Sequence, residues 1–157
     1  MNNKKLVIGS DHAGFEYKAK LIDYLTAKGY EMIDAGTYSA DSCDYPVPVH
    51  ALCKIIQSGE CAEGILICGT GIGVSMAANK HHGIRAAVCS AKYSTEMTRL
   101  HNDANVLCMG ARVIDFSLVC ELTDIFLSTD ALTEERHLRR QQMISDLEDG
   151  TFEEKYE

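Results

Sequence analysis

The sequence predicts an α/β protein: a three-layer α/β/α sandwich around a five-stranded parallel sheet, with an extra helix at the C-terminus. Three observations carry this. Five apolar runs alternate with helical patterns along the chain, which is the signature of strands joined by helical, right-handed crossovers. The third, fourth and fifth runs are nearly continuous in hydrophobicity, as strands covered on both faces are. The chain has 157 residues, 46% of them hydrophobic and 24% charged, enough apolar material for one domain with one core.

The strand runs are KLVIGS, YEMIDAG, GILICG, IRAAVC and NVLCMG. The first helix is expected from about Phe15 to Lys28. Phe15, Lys18, Ala19, Ile22 and Leu25 lie on one side of it, and Gly29 closes it. The second starts near Pro46, with Pro46 and Pro48 in its first turn, and ends at Gly59. The third leaves a glycine turn and runs towards Asn79. The fourth covers about Ala91 to Leu100, and the fifth runs from Asp115, as N-cap, to Leu127. The last covers Thr133 to Glu148, with Thr133 as N-cap and two glutamates where the helix dipole favours them. No repeat or linker divides the chain, so residues 1–157 form a single domain on a Rossmann-like sheet, with an acidic tail after about residue 149 that frays.

The net charge of −8 argues against a general nucleic-acid binder, which needs a basic field. No apolar run is long enough to span a membrane. The short apolar run at the N-terminus, cut off by Ser10, Asp11 and His12, reads as a strand and not a signal peptide. Seven cysteines, none in a CxxC pair, speak for a reducing cytoplasm and against zinc or thioredoxin-like chemistry. His81 and His82 lack a partner at metal-ligand spacing.

Ligands of open parallel sheets bind beyond the carboxyl ends of the strands. Those ends hold Ser10-Asp11-His12, the loop from Gly36 to Tyr45, Cys68-Gly69-Thr70-Gly71, Ser90 and Gly110-Ala111-Arg112. The glycine turn fails both common nucleotide fingerprints. It is GxGxG after the third strand, where a dinucleotide site needs GxGxxG after the first and a phosphate loop needs GxxxxGK[ST]. Glycines at 69, 71 and 73 nevertheless let the backbone N–H groups of residues 69–73 converge on an anion, either a bound phosphate or a developing oxyanion. Cys68 opens this turn, and a helix start favours the thiolate form of a cysteine. On residue type alone, Cys68 reads better as a buried core thiol. Asp11 reads equally well as a plain N-cap, and His101 as a surface histidine at a helix end. Arg136 and Arg140, neighbours at i, i+4, suit a phosphate but more often form a solvated face.

Taken together, SDHAGF (residues 10–15), DYP (44–46), GILICGTGIGVSMAANK (64–80), GIRAAVC (83–89), HNDANVL (101–107) and RHLRR (136–140) resemble the RpiB/LacAB sugar-phosphate isomerase family over nearly the whole chain. The resemblance implies interconversion of ribose 5-phosphate and ribulose 5-phosphate with no metal or organic cofactor. It implies catalytic roles for Cys68, His101 and Thr70: Cys68 shuttles a proton between C2 and C1, and His101 is the acid that opens the furanose ring. The backbone of Gly69, Thr70, Gly71, Ile72 and Gly73 matches the enediolate-stabilising loop. Asp11, His12, Tyr45 and Asn102 match sugar contacts, and Arg112, Arg136 and Arg140 match phosphate contacts with His12 nearby. One branch of the family replaces the cysteine by a glutamate within the loop. Val74 holds the matching position here, so the cysteine version applies. The resemblance further implies a homodimer with shared active sites, or a tetramer built from it, with His101, Asn102 and some arginines acting across the interface. Two other readings stay open: an allose 6-phosphate or galactose 6-phosphate isomerase of the same family, and a non-catalytic nucleotide-binding module.

Overall fold

The computed structural model describes residues 4–154. Five parallel strands, β1 (Lys5–Ser10), β2 (Glu31–Asp34), β3 (Gly64–Cys68), β4 (Ala86–Val88) and β5 (Val106–Gly110), form one sheet in the order β2-β1-β3-β5-β4. Six helices join or follow them: α1 (Phe15–Ala27), α2 (Pro46–Gln57), α3 (Ile72–Ala78), α4 (Lys92–Asn102), α5 (Phe116–Ser128) and α6 (Glu135–Asp149). The expected sandwich is present. On one face Leu6, Ile8, Ile65, Ile67, Leu107 and Met109 pack on Leu21 and Leu25 of α1 and on Val119, Leu122 and Phe126 of α5. On the other face Val7, Leu66, Val106 and Cys108 pack on Val49, Leu52 and Cys53 of α2 and on Val74 and Ala78 of α3. Helix α4 lies on α5, and α6 lies outermost on α4.

The differences from the sequence reading are local. Strands β3 and β5 are buried throughout, but β4 is a three-residue edge strand with Val88 46% exposed. Its apolar run made it read as covered on both faces. The buried stripe of α1 is Lys18, Leu21 and Leu25, while Ala19 faces solvent. Lys18 can be buried because its Nζ donates to Asp34 Oδ1 and to the Thr37 carbonyl, both at 2.5 Å, so its charge is paired and hydrogen-bonded. The expected Thr133 cap is replaced by Glu134, with no side-chain capping bond, and Glu135 alone lies in the first turn of α6. Asp115 caps α5 as expected, its Oδ1 accepting from the Leu118 N–H at 2.9 Å. Helix α4 runs two residues further than expected and so carries His101 and Asn102 in its last turn.

The chain leaves β1 towards β2 and returns to place β3 on the other side of β1. This reversal opens a crevice at the carboxyl ends of β1 and β3, where ligands of such sheets bind.

Candidate active site

Cys68 is the last residue of β3 and is 5% exposed. The N–H of Gly71 donates to its Sγ at 3.1 Å. That bond needs the chain to double back within three residues, and Gly71 does so at φ +79°, in the left-handed region. The other two glycines do not share this conformation. They are small for another reason: a Cβ at Gly69 would stand 3.3 Å from Arg112 Nη1, and one at Gly73 would stand 2.9 Å from the Tyr45 ring. Gly69 thus makes room for a guanidinium and Gly73 for a phenol ring. The Ile72 N–H donates to Thr70 Oγ1 at 3.2 Å, which leaves the Thr70 hydroxyl hydrogen free to point elsewhere. The end of β5 braces the loop: Ala111 N–H donates to the Cys68 carbonyl at 2.8 Å and Arg112 N–H to the Gly69 carbonyl at 3.0 Å.

Three other buried cysteines lie in the core. Burial pushes the Cys53 thiol up to about 11, raises Cys89, and raises Cys108 well above the ordinary range. These are core thiols that stay protonated. Cys68 lies at a strand end, with a backbone donor aimed at its sulfur.

From β1, Asp11 turns its Oδ1 to the N–H groups of Ala13 and Gly14, at 2.9 and 3.1 Å. The carboxylate therefore holds the turn ahead of α1; the helix's own N-cap is Gly14, with no side-chain capping bond, so the reading of Asp11 as a plain N-cap is corrected. His12 accepts at Nδ1 from the Cys43 N–H, 3.2 Å away. This fixes the neutral tautomer that carries its hydrogen on Nε2, the arrangement that donates to an anion. Tyr45, with its ring against Gly73, closes the same mouth. Asp11, His12, Tyr45, residues 68–73 and Arg112 thus gather at one edge of the sheet.

His101, Asn102, Arg136 and Arg140 do not join them. Helix α4 starts beyond the carboxyl end of β4 and ends just before the first residue of β5, so its last turn lies at the amino edge. Register pairs Gly64 with Val106 at that edge and Cys68 with Gly110 at the other. Four residues of strand separate them, about 13 Å. At the amino edge His101 stacks on His137, ring centres 4.6 Å apart and planes within 4°. Gln141 Nε2 donates to the His101 carbonyl at 3.2 Å. The exposed Arg136 is held by Glu134 at 3.0 Å, and Arg140 is exposed one turn further on. The sequence reading passed over His137. The signal available was its place, with Gln141 and Ser145, on the inner stripe of α6. Among the described residues, no group of three or more His, Cys, Asp or Glu side chains could hold a metal ion, and no helix is long and apolar enough to cross a membrane.

A model of the family described as Ribose/Galactose Isomerase matches residues 6–144. The ribose-5-phosphate isomerase B of Escherichia coli is 43% identical over 145 residues, covering 92% of this chain and 97% of that one. A 4-deoxy-4-sulfo-D-erythrose isomerase of a Clostridium species is also 43% identical, covering 89% and 88%. The solved ribose-5-phosphate isomerase B of Clostridium thermocellum superposes with a TM-score of 0.90 at 44% identity, over 93% of this chain and 98% of that one.

Proposed function

The chain belongs to the ribose/galactose isomerase family, and we propose that it interconverts D-ribose 5-phosphate and D-ribulose 5-phosphate in a site shared between two copies. The observation that carries the reading is the Gly71 N–H aimed at the Cys68 sulfur inside a glycine loop at the sheet's switch point.

The steps follow from the groups present. His101 of one copy protonates the ring oxygen of the furanose, the C1–O bond breaks, and the anomeric hydroxyl proton leaves as the aldehyde forms. The Cys68 thiolate of the other copy removes the hydrogen on C2. The negative charge that develops on O1 falls among the N–H groups of residues 69–73, which are fixed in advance by the braced loop. Thr70, whose oxygen already accepts from Ile72, offers its hydroxyl hydrogen to the enediolate and mediates the proton transfer between O2 and O1. The Cys68 thiol then returns its proton to C1. Arg112 and His12 bind the phosphate from one copy, Arg136 and Arg140 from the other, and Asp11, Tyr45 and Asn102 line the sugar.

Sharing is supported by geometry. Cys68 and His101 lie at opposite edges of one sheet, so a single chain cannot unite them. Around the glycine loop, Ile72, Met76, Val88 and Tyr93 are 46 to 73% exposed. That apolar rim suits cover by a second copy. Seven free cysteines suit a reducing cytoplasm.

Mixing two inactive variants tests this. Cys68→Ala and His101→Ala chains, dissociated and reassembled in equal amounts, place both intact residues in one site of each mixed dimer. Half the dimers are mixed, so recovery should reach about a quarter of wild-type activity. No recovery from folded mixed dimers refutes the shared site. A panel with allose 6-phosphate and galactose 6-phosphate separates the pentose from the hexose reading.

A further inference from the structure

His137 has no part in the steps above, yet it is only 4% exposed. Its ring lies flat on that of His101. Its Nε2 has no hydrogen-bond partner among the described residues. The nearest carboxylate oxygen, Glu134 Oε2, stands 3.8 Å away, beyond hydrogen-bond reach. That oxygen is held by Arg136, from Nε and from Nη2, both at 3.0 Å. The charged and titratable groups facing His137 are Glu134, Arg136 and Arg140 on its own helix and His101 on α4. Burial first, then the neighbouring imidazole and Arg136, push His137 below the ordinary histidine value, so at neutral pH it is an uncharged plate.

Two stacked imidazoles cannot both carry a proton without strong repulsion. Burial makes His137 the member of the pair that stays uncharged. A buried polar atom with no partner calls for an explanation, and one arises when another state of the molecule supplies the partner. Arg136 is the group that can create that state. It is exposed and, among the described residues, tied to its own Glu134, and a phosphate dianion competes for it. Once it turns to the phosphate, the Glu134 carboxylate is free to close the 3.8 Å gap to Nε2.

We propose that His137 is a positioning residue for His101: its ring fixes the imidazole of the acid by stacking, and Glu134, released when Arg136 engages the substrate phosphate, closes on His137 and stabilises the proton held by the pair. The proposal rests on the reading of His101 as the ring-opening acid. It ties ring opening to phosphate binding, so the acid is charged most readily when a sugar phosphate is in place.

The substrate pair supplies the test. Ribulose 5-phosphate has no free hydroxyl with which to close a furanose ring, so deuterium wash-in at its C1 reads the Cys68 chemistry alone. Conversion of ribose 5-phosphate reads ring opening as well. His137→Ala should slow conversion between about 10-fold and about 100-fold through misplacement of the acid, with KM little changed and wash-in at the wild-type rate. His137→Phe keeps the plate and should recover most of that loss. Glu134→Gln removes the charge that favours the imidazolium, so the alkaline limb of the conversion profile should move to lower pH while the wash-in profile stays. Equal slowing of both reactions by His137→Ala overturns the proposal, since that is what a structural role predicts. An unmoved alkaline limb in Glu134→Gln removes the carboxylate's part. His101→Ala separates the two levels: if it slows conversion and spares wash-in while the His137 variants do neither, the proposal alone falls. If His101→Ala shows no such split, the reading of His101 falls and takes the proposal with it.

Discussion

Replacing Gly71 with alanine separates the middle glycine of the loop from its neighbours. Gly71 sits at φ +79°, where a residue with a β-carbon loses about 1–2 kcal/mol. The added methyl would also stand 2.9 Å from the Met109 carbonyl carbon and from Val88 Cγ2, where ordinary contact begins at 3.4 Å. Something must yield by about half an ångström. Met109 is held in β5 between β3 and β4, so the loop is the side that moves, and it carries the N–H now 3.1 Å from the Cys68 sulfur. The backbone strain alone lowers the melting temperature by about 2–8 °C in a chain of this size. Displacement of the donor and the loop costs between about 10-fold and about 100-fold in rate. Gly69→Ala is the control. Its methyl meets the far end of the Arg112 side chain at 3.3 Å, at an unstrained φ, so the guanidinium gives way, which weakens phosphate binding and is offset at saturating substrate, while the sulfur's donor stays. Circular dichroism on heating and deuterium wash-in at C1 of ribulose 5-phosphate measure both quantities. Gly71→Ala with wild-type stability and wash-in, or equal losses in the two variants, refutes the assignment of the turn to Gly71.

Cys68→Ala should lower wash-in by at least about 100-fold, the scale of a lost general base, and leave thermal unfolding nearly unchanged. Residual exchange close to wild type would take the sulfur out of the reaction. Gly14→Ala places a methyl 2.3 Å from the Ile67 carbonyl oxygen and should destabilise the fold by about 1–3 kcal/mol as overpacking against a fixed strand does. Chemical denaturation measures it, and a neutral result contradicts the close approach of α1 to β3. His137 has a folded-state pKa below its ordinary value of about 6.5. Its contribution to stability is therefore full above that value and is lost as pH falls through the depressed one, because the unfolded chain takes up the proton first. Melting temperature should thus fall less steeply on acidification below pH ~6.5 in His137→Phe than in the wild type; parallel slopes would show that His137 is not held neutral in the fold.

Much of the architecture was legible because its causes are local. Strand alternation, prolines in the first turn of α2, Asp115 at the start of α5 and the glycine spacing after β3 each act through neighbouring residues, and each appears where expected. The misreadings have non-local causes. Ala19 was placed on the inner stripe of α1 but is exposed, while Lys18 on that stripe is buried as placed, its charge met by Asp34 and Thr37. Strand β4 reads as covered on both faces by composition, but strand order makes it a half-exposed edge. The cap of α6 moves from Thr133 to Glu134, where no side chain bonds to the free N–H groups. The site was half legible. Spacing marked the glycine loop, while the roles of Arg136 and Arg140 came from family resemblance and not from the i, i+4 pattern. In the run ERHLRRQQ only the i, i+4 place of His137 with Gln141 hints at its burial, which α6 creates by lying on α4.

Chain direction supports the proposal that the site is shared. In a parallel sheet every helix runs back against its strands, so the end of a strand and the end of the helix before it stand at opposite edges. Cys68 ends a strand and His101 lies in the last turn of such a helix. No loop rearrangement within one domain can bring them together, because the sheet itself keeps them about 13 Å or more apart. A two-fold axis beside the edge strand can, since it sets the carboxyl edge of one copy against the amino edge of the other. Short, half-exposed β4 and the apolar rim of Ile72, Met76, Val88 and Tyr93 stand where such an axis would pass. Acid, phosphate clamp and helix then arrive together from the second copy. In the proposed arrangement each chain supplies the base for one site and the acid for the other.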